Sequence, residues 1–295
     1  MERDCESELS KLNIEQNACI YHFGASVIHG QRSNILRLLS MDIWSGLMNL
    51  YEGVAKYYDI EESEYQQEDM DFYIEYAQKC KGNILELGCG TGRVSLRLAS
   101  LGYDVTALDL SKEMIQIVER KKNEQNCNLE VICGNMSDFH LNKRFSLILT
   151  PGRSFQSLSE QKDIISALSC IYQHLFQGGL FILDLFQPET FLKYQCKDDK
   201  TIFSKTVGNE KITMKYACNL IDKKNKIVHT THTYEIEKDN NFHQTQKAYM
   251  ELRYYEYKEM VTLLESVGFK IKEKYGWYDK CSLEKGHEII IVAEK

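Results

Sequence analysis

Between residues 84 and 93 the chain reads Ile84-Leu85-Glu86-Leu87-Gly88-Cys89-Gly90-Thr91-Gly92-Arg93, with a glycine-rich turn directly after a short apolar run that carries one acid. A turn without Cβ atoms at the end of a strand lets a ligand lie directly against backbone N–H groups. The spacing is Gly-x-Gly-x-Gly, unlike the Gly-x-Gly-x-x-Gly turn whose third glycine permits helix packing near a pyrophosphate. Glu86 adds negative charge, which suits a ligand bearing an ammonium or sulfonium group better than a polyanion. A second acid, Asp109 in Leu108-Asp109-Leu110, ends the next apolar run, where its carboxylate can accept both hydroxyls of a ribose. The competing reading of Asp109 is a helix N-terminal charge beside Ser111.

These residues need elements to hold them. From Asn83 onward short apolar runs alternate with helix-period segments, the pattern of β-α units that build a parallel sheet. The predicted strands are Ile84-Leu87, Val105-Leu108, Leu129-Ile132, Phe145-Leu149 and Leu180-Leu185, and the predicted helices are Arg93-Leu101, Ser111-Asn123 and Glu160-Phe176. Ser111 fits an N-cap, with Glu113 in the first turn behind it. After Pro188 the texture becomes alternating and rich in Thr, Tyr, Ile and Val, over Lys211-Ile221, Lys226-Ile236 and His243-Tyr255, which predicts two or three antiparallel strands inserted into the α/β unit. A helix over Glu256-Val267 ending at Gly268, then strands over Phe269-Tyr275 and Glu288-Val292, resumes that unit. The expected division is an N-terminal extension at 1–50, in which Ile35-Leu50 reads as a helix and a lid, an α/β domain at 51–188 and 256–295, and a substrate-lid subdomain at 189–255.

Composition narrows the partners. The 295 residues carry a formal net charge of −7, with acids and lysines mixed along the chain, so there is no basic footprint for nucleic acid. Apolar runs such as Leu180-Phe186 are far shorter than the roughly 20 residues that span a bilayer, which predicts no membrane association. Ten cysteines without a signal-peptide pattern predict free thiols in a reducing, cytoplasmic setting. His229 and His232 fall on opposite faces of one strand and cannot form a simple metal pair, so no metal is expected.

The motif Glu86-Leu87-Gly88-Cys89-Gly90-Thr91-Gly92 followed by Asp109 resembles the adenosylmethionine site of class I methyltransferases, and Leu175-Phe176-Gln177-Gly178-Gly179-Leu180 resembles that family's turn before the fifth strand. The resemblance covers residues 55–188 and 256–295 and implies a doubly wound, mostly parallel, seven-stranded Rossmann-like sheet. It implies S-adenosylmethionine as cofactor, with Glu86 and Cys89 among its contacts, Gly88 and Gly90 toward its methionine part, Asp109 at the ribose, Leu110 and Met114 on the adenine face, and Asn135 and Met136 at the adenine edge. Tyr57 and Thr150 complete the expected cofactor set. Where relatives often carry an acid, Asn135 offers a carbonyl to the adenine amino group and an amide to a ring nitrogen. Ser146 stands where relatives commonly have Asp.

The segment Thr150-Pro151-Gly152-Arg153-Ser154-Phe155-Gln156 resembles a substrate-side loop of small-molecule members. Tyr58, Arg153, Gln156, His232 and Tyr254 are the expected acceptor contacts, and no residue is assigned as catalytic base. The implied reaction is in-line methyl transfer to N or O of a small-molecule acceptor, leaving S-adenosylhomocysteine. A silent cofactor-binding regulator or scaffold and a nicotinamide-dependent oxidoreductase are the competing readings, and a homodimer is the assembly left open.

Overall fold

The computed structural model describes residues 53–62, 68–193, 199–238 and 242–295. The expected N-terminal extension and the helix over Ile35-Leu50 lie outside the described residues. Ile84–Leu87 (β1) is buried at every position, as befits a strand covered on both faces. It pairs in parallel with Val105–Asp109 (β2) on one side and Phe145–Thr150 (β4) on the other. Leu129–Cys133 (β3), Leu175–Phe186 (β5), Lys270–Tyr275 (β10) and Glu288–Glu294 (β11) complete a seven-stranded sheet in the order β10-β11-β5-β4-β1-β2-β3. β11 runs antiparallel to both neighbours, so the sheet is mostly parallel, as expected. The strand order reverses between β1 and β4, which opens a crevice beyond their C-terminal ends.

Alternation along β1 assigns its side chains to two cores. Leu85 and Leu87 pack with Ile164, Leu168 and Ile171 of α5 (Gln161–His174) and Met260 and Leu264 of α7 (Tyr257–Val267). Ile84 packs with Phe72, Tyr73 and Tyr76 of α2 (Glu68–Cys80), Val94 and Leu98 of α3 (Arg93–Ser100) and Val118 of α4 (Lys112–Gln125). Each such side chain contributes about 1.5–3 kcal/mol on burial, so the glycine turn is anchored at its strand end from both faces. α4 begins as expected, with the Ser111 hydroxyl accepting from Met114 N–H at 3.3 Å. α7 ends at Gly268, whose φ of 113° is left-handed and whose missing Cβ would meet the Tyr172 ring at 3.1 Å. The glycine turn expected before Leu180 is absorbed into a longer β5, which pairs with β4 from Leu175 and shifts register on the way.

The insertion is a separate antiparallel meander of four strands, Lys200–Val207 (β6), Glu210–Asp222 (β7), Ile227–Lys238 (β8) and Phe242–Arg253 (β9). The three expected segments became β7 to β9. β6 escaped notice because its apolar residues Ile202 and Phe203 are adjacent rather than alternating. A short helix opened by Pro188 (α6, Pro188–Lys193) leads into the meander.

Ala55–Glu62 (α1) lies between the two sheets' structures. Ala55 and Tyr58 pack with Met114 and Ile117 of α4, while Val54 and Tyr57 pack with Phe203, Met214, Tyr234 and Ile236 of the meander. At the other end, Phe186 of β5 packs with Cys218 and Val228. Gln156 fastens that end: its amide donates to Arg253 O at 2.9 Å and its carbonyl accepts from Phe186 N–H at 2.9 Å.

A buried carboxylate sets the loop after β4. Asp184 of β5, with no exposure, accepts from Tyr73 Oη at 2.7 Å, from Tyr278 Oη, and from the backbone N–H groups of Gly152 at 3.1 Å and Arg153 at 2.8 Å. Burial and the adjacent carboxylate push both phenols well above their ordinary range, so they stay protonated as donors. Asp184→Ala strands all four donors and is expected to lower stability by on the order of 3 kcal/mol. Urea unfolding midpoints check this, and wild-type stability in the variant would contradict the role given to Asp184.

Candidate active site

The turn after β1 is built by backbone geometry. Gly88, Gly90 and Gly92 have φ of 72°, 54° and 85°, in the left-handed region. At Gly88 a Cβ would come within 2.6 Å of Ser154 Cβ. The N–H groups expected to face a ligand are already engaged: those of Gly88 and Cys89 donate to Leu108 O at 2.8 and 3.1 Å, and that of Gly90 donates to Asp109 Oδ2 at 2.8 Å. The glycines therefore provide room and turn shape rather than free donors. The absent Cβ of Gly90 leaves a position 3.6 Å from Tyr58 Cε1.

Asp109 joins the two strand ends. Its Oδ1 accepts from Ser111 N–H at 2.8 Å, so both oxygens are held by backbone donors and each keeps a lone pair for a further partner. Burial raises its pKa, and the N–H groups of Ser111 and Gly90 oppose that rise. Helix-start charge and ligand acceptor are thus compatible roles here. Leu110 is 46% exposed beside it, an apolar face at the rim, while Met114 is fully buried behind. Met136 lies opposite, its Cε 3.3 Å from the position of a Gly88 Cβ. Asn135 is exposed, but its carbonyl oxygen accepts from Ser137 N–H and Oγ, both at 2.9 Å. Its carbonyl is occupied within its own turn, and the group it presents outward is the amide.

Glu86 shares the Ile84 face of β1, beneath α3. It is buried, Oε2 has no hydrogen-bond partner, and burial pushes its pKa up to about 8 against the opposing pull of Ser95 and Arg93. Cys89 is buried next to these acids, and burial holds its thiol well above the ordinary range. Neither group is a ready nucleophile. All cysteines among the described residues are free thiols.

On the acceptor side the loop after β4 is held tightly. Gly152 and Arg153 both have positive φ, 63° and 65°, the latter unusual for a residue with a side chain. Ser154 Oγ donates to Pro151 O at 2.6 Å and lies 3.1 Å from Gly88 O, so this loop touches the glycine turn. Arg153, expected to grip a carboxylate of substrate or cofactor, is paired with the buried carboxylate of Glu288, Nε to Oε1 at 3.1 Å. Gln156, likewise expected at the acceptor, has its amide engaged at both ends by the backbone bonds described above. Thr150 is fully buried at the end of β4 and its Oγ1 has no partner.

The two tyrosines of α1 exchange their expected positions. Tyr57 is buried among the meander's side chains, its ring stacked on Tyr234 at 5.6 Å between centroids, whereas Tyr58 is the one beside Gly90. His232 is buried on the inward face of β8, 5.4 Å from the Tyr216 ring, and His229 on the outward face lies 3.4 Å from Glu251. Tyr254 follows β9 and packs with Phe186 and Val228. Sequence reading missed Asp184, Glu288, Ser154 and the Asp59–Thr91 hydrogen bond, at 2.6 Å, because each acts through a partner distant in the chain. Among the described residues no group of His, Cys, Asp and Glu could hold a metal, and no helix is long and apolar enough to cross a membrane.

Residues 84–179 match the model of the methyltransferase domain family. A protein of Geobacillus sp. (strain WCH70), provisionally named a methyltransferase, is 25% identical over 253 residues, 83% of this chain and 99% of its own length. The malonyl-acyl-carrier-protein O-methyltransferase of Bacillus anthracis is 27% identical over 171 residues, 55% of this chain and 61% of that one. Among solved structures, an S-adenosylmethionine-dependent methyltransferase from Clostridium acetobutylicum ATCC 824 aligns with a TM-score of 0.69 at 22% identity, covering 83% of this chain and 99% of that one. The sugar N-methyltransferase KedS8 from Streptoalloteichus sp. ATCC 53650 aligns with a TM-score of 0.68 at 14% identity, covering 93% and 98%. Likeness at these identities speaks for the fold. Residues 84–179 thus match a methyltransferase domain, the chain is similar over 83% of its length to a protein named for that activity, and its strand order belongs to the fold shared with the solved S-adenosylmethionine-dependent methyltransferases.

Proposed function

We propose that the protein moves the methyl group of S-adenosylmethionine to a nitrogen or oxygen of a small-molecule acceptor enclosed beneath the four-stranded meander. The carrying observation is the meander's inward face. Along β8, Val228, Thr230, His232, Tyr234 and Ile236 alternate inward and are all buried, yet Thr230 Oγ1 has no partner, nor has Oε1 of Gln246, which lies opposite Tyr234 on β9; Thr233 Oγ1, on the other face, is unpaired as well. Leaving such atoms buried and unpaired costs about 1–3 kcal/mol each. A ligand with hydrogen-bonding groups relieves that cost, whereas a flat protein or RNA surface cannot reach an inward face. The names malonyl-acyl-carrier-protein O-methyltransferase and sugar N-methyltransferase, carried by two of the similar proteins, fit an N or O acceptor. The free thiols fit a cytoplasmic setting.

The residues at the sheet edge fit the cofactor. Asp109 would accept from the ribose hydroxyls, Gly88 and Gly90 leave room for the methionine part, and Leu110 and Met136 would flank the adenine, with the Asn135 amide at its edge; Met114, expected on the adenine face, is fully buried among Ala55 and Ile117 and backs the site instead. Tyr58 would close the site over Gly90. Bound S-adenosylmethionine supplies the activated methyl and the sulfonium leaving group. The chain's own part is to orient the acceptor and exclude water, a positioning effect that reaches roughly 7–11 kcal/mol in the best cases. Thr230, whose Oγ1 has no partner, is the inward polar group that would orient it, on the same face as His232. A base is required only for an acceptor that arrives protonated.

Asp109→Ala is expected to weaken S-adenosylmethionine binding on the order of 100-fold while the circular dichroism spectrum stays native. Calorimetric titration checks this, and unchanged affinity in the folded variant would remove the ribose assignment. Glu86 gives a pH signature. With its pKa raised to about 8, the carboxyl is largely protonated at neutral pH, and its contribution to stability is present at low pH and lost as pH rises through about 8. A cationic ligand nearby favours the carboxylate, so binding expels the proton. Affinity should therefore rise between about pH 6 and 8.5, with proton release visible in buffers of different ionisation enthalpy, and Glu86→Gln should abolish both. A pH-independent affinity in the wild type would contradict a charge role for Glu86.

A further inference from the structure

One oxygen of Asp59 gathers three elements. Asp59 Oδ1, on α1, accepts from Thr91 Oγ1 at 2.6 Å and from Lys121 Nζ of α4 at 2.7 Å, and the same ammonium donates to Thr91 O at 3.0 Å. Thr91 stands between Gly90 and Gly92 and is 1% exposed, so the glycine turn itself is gripped from outside. Charge-assisted bonds of this kind are about twice as strong as neutral ones. α1 has only eight residues, too few to hold together on propensity, so its place is set by what it touches.

Those contacts divide by helical period. Ala55 and Tyr58 share the α4 side with Asp59, and Tyr58 thereby comes to lie beside Gly90. Val54 and Tyr57 share the other side and are buried in the meander, with Tyr57 stacked on Tyr234. Gly53 strengthens the connection at the helix start: its N–H donates to Glu113 Oε2 of α4 at 3.0 Å, and its Cα faces Gln246 of β9, whose Nε2 a Cβ would meet at 3.2 Å.

Resting on the cofactor reading given above, we propose that Asp59 is a positioning residue that locks α1 onto the glycine turn, setting Tyr58 at the cofactor and, through Tyr57, coupling the acceptor lid to cofactor binding. The cofactor's arrival at Gly90 tightens the Asp59–Thr91–Lys121 node, and the same rigid helix tightens β8. The lid closes as a consequence of cofactor occupancy, which orders binding so that the acceptor meets a loaded site.

The test uses S-adenosylhomocysteine with the full chain, reading affinity by calorimetry and lid order by amide hydrogen exchange over residues 227–238. In the wild type, saturation is expected to slow exchange in β8. Asp59→Asn is expected to weaken binding on the order of tenfold, and at saturation to lose the β8 protection. Lys121→Met, on the α4 side of the node, is expected to do the same in milder form and serves if Asp59→Asn does not fold. Tyr57→Ala is expected to keep the affinity within about twofold while losing the β8 protection, a split that general destabilisation does not produce. Wild-type affinity and β8 protection in the folded Asp59 and Lys121 variants would overturn the proposal, and so would β8 protection that survives Tyr57→Ala. Absence of S-adenosylhomocysteine binding by the wild type would instead overturn the cofactor reading and the latch with it.

Discussion

The hydrogen bond from Gly90 N–H to the Asp109 carboxylate is the constraint on which the rest of the site depends. It fastens the turn leaving β1 to the end of β2, and with Leu108 O accepting from Gly88 and Cys89 it gives the turn one shape. The positive φ values follow from that shape, and glycine follows from the φ values. Once the turn is fixed, Gly88 lies against Ser154 with no room for a Cβ, which fixes how closely the loop after β4 approaches. The carboxylate that organises the turn keeps a lone pair on each oxygen, so the proposed ribose contact would share one side chain with the turn's construction.

A second carboxylate does the corresponding work for the acceptor side. Asp184 draws together α2, the β4–α5 loop and the segment after β10, and it holds Arg153 in a backbone conformation that a side-chain-bearing residue seldom adopts. Arg153 then turns its guanidinium to Glu288, an exposed arginine on a buried carboxylate, which is consistent with a structural use of the charge. Burial raises Glu288 to about 7 in spite of the arginine. The two acids Asp109 and Asp184 thus stand at the two sides of the crevice, one fastening the glycine turn and one holding the wall.

Much of this was legible in the sequence because it is written locally. The glycine spacing, the acid at the end of the second apolar run, Ser111 as a cap and Gly268 as a helix end are all short-range signals, and each is where its pattern placed it. What was not legible depends on contacts between distant residues. Tyr57 and Tyr58 are adjacent in sequence, and only the orientation of an eight-residue helix between two partners decides which of them faces Gly90. Gln156 looked like a free polar side chain and is bound at both ends of its amide by strands far away in the chain. β6 lacks alternation because its register with β7 shifts between Thr201 and Phe203, and Ile202 and Phe203 both pack into one cluster.

The most direct test of the account is a crystal structure of the protein with S-adenosylhomocysteine. The account predicts both ribose hydroxyls within hydrogen-bonding distance of the Asp109 carboxylate, the adenine between Leu110 and Met136, and the sulfur facing the inward side of the meander. A ligand bound elsewhere, or a ribose held by other residues with Asp109 still turned wholly to Gly90 and Ser111, would contradict it.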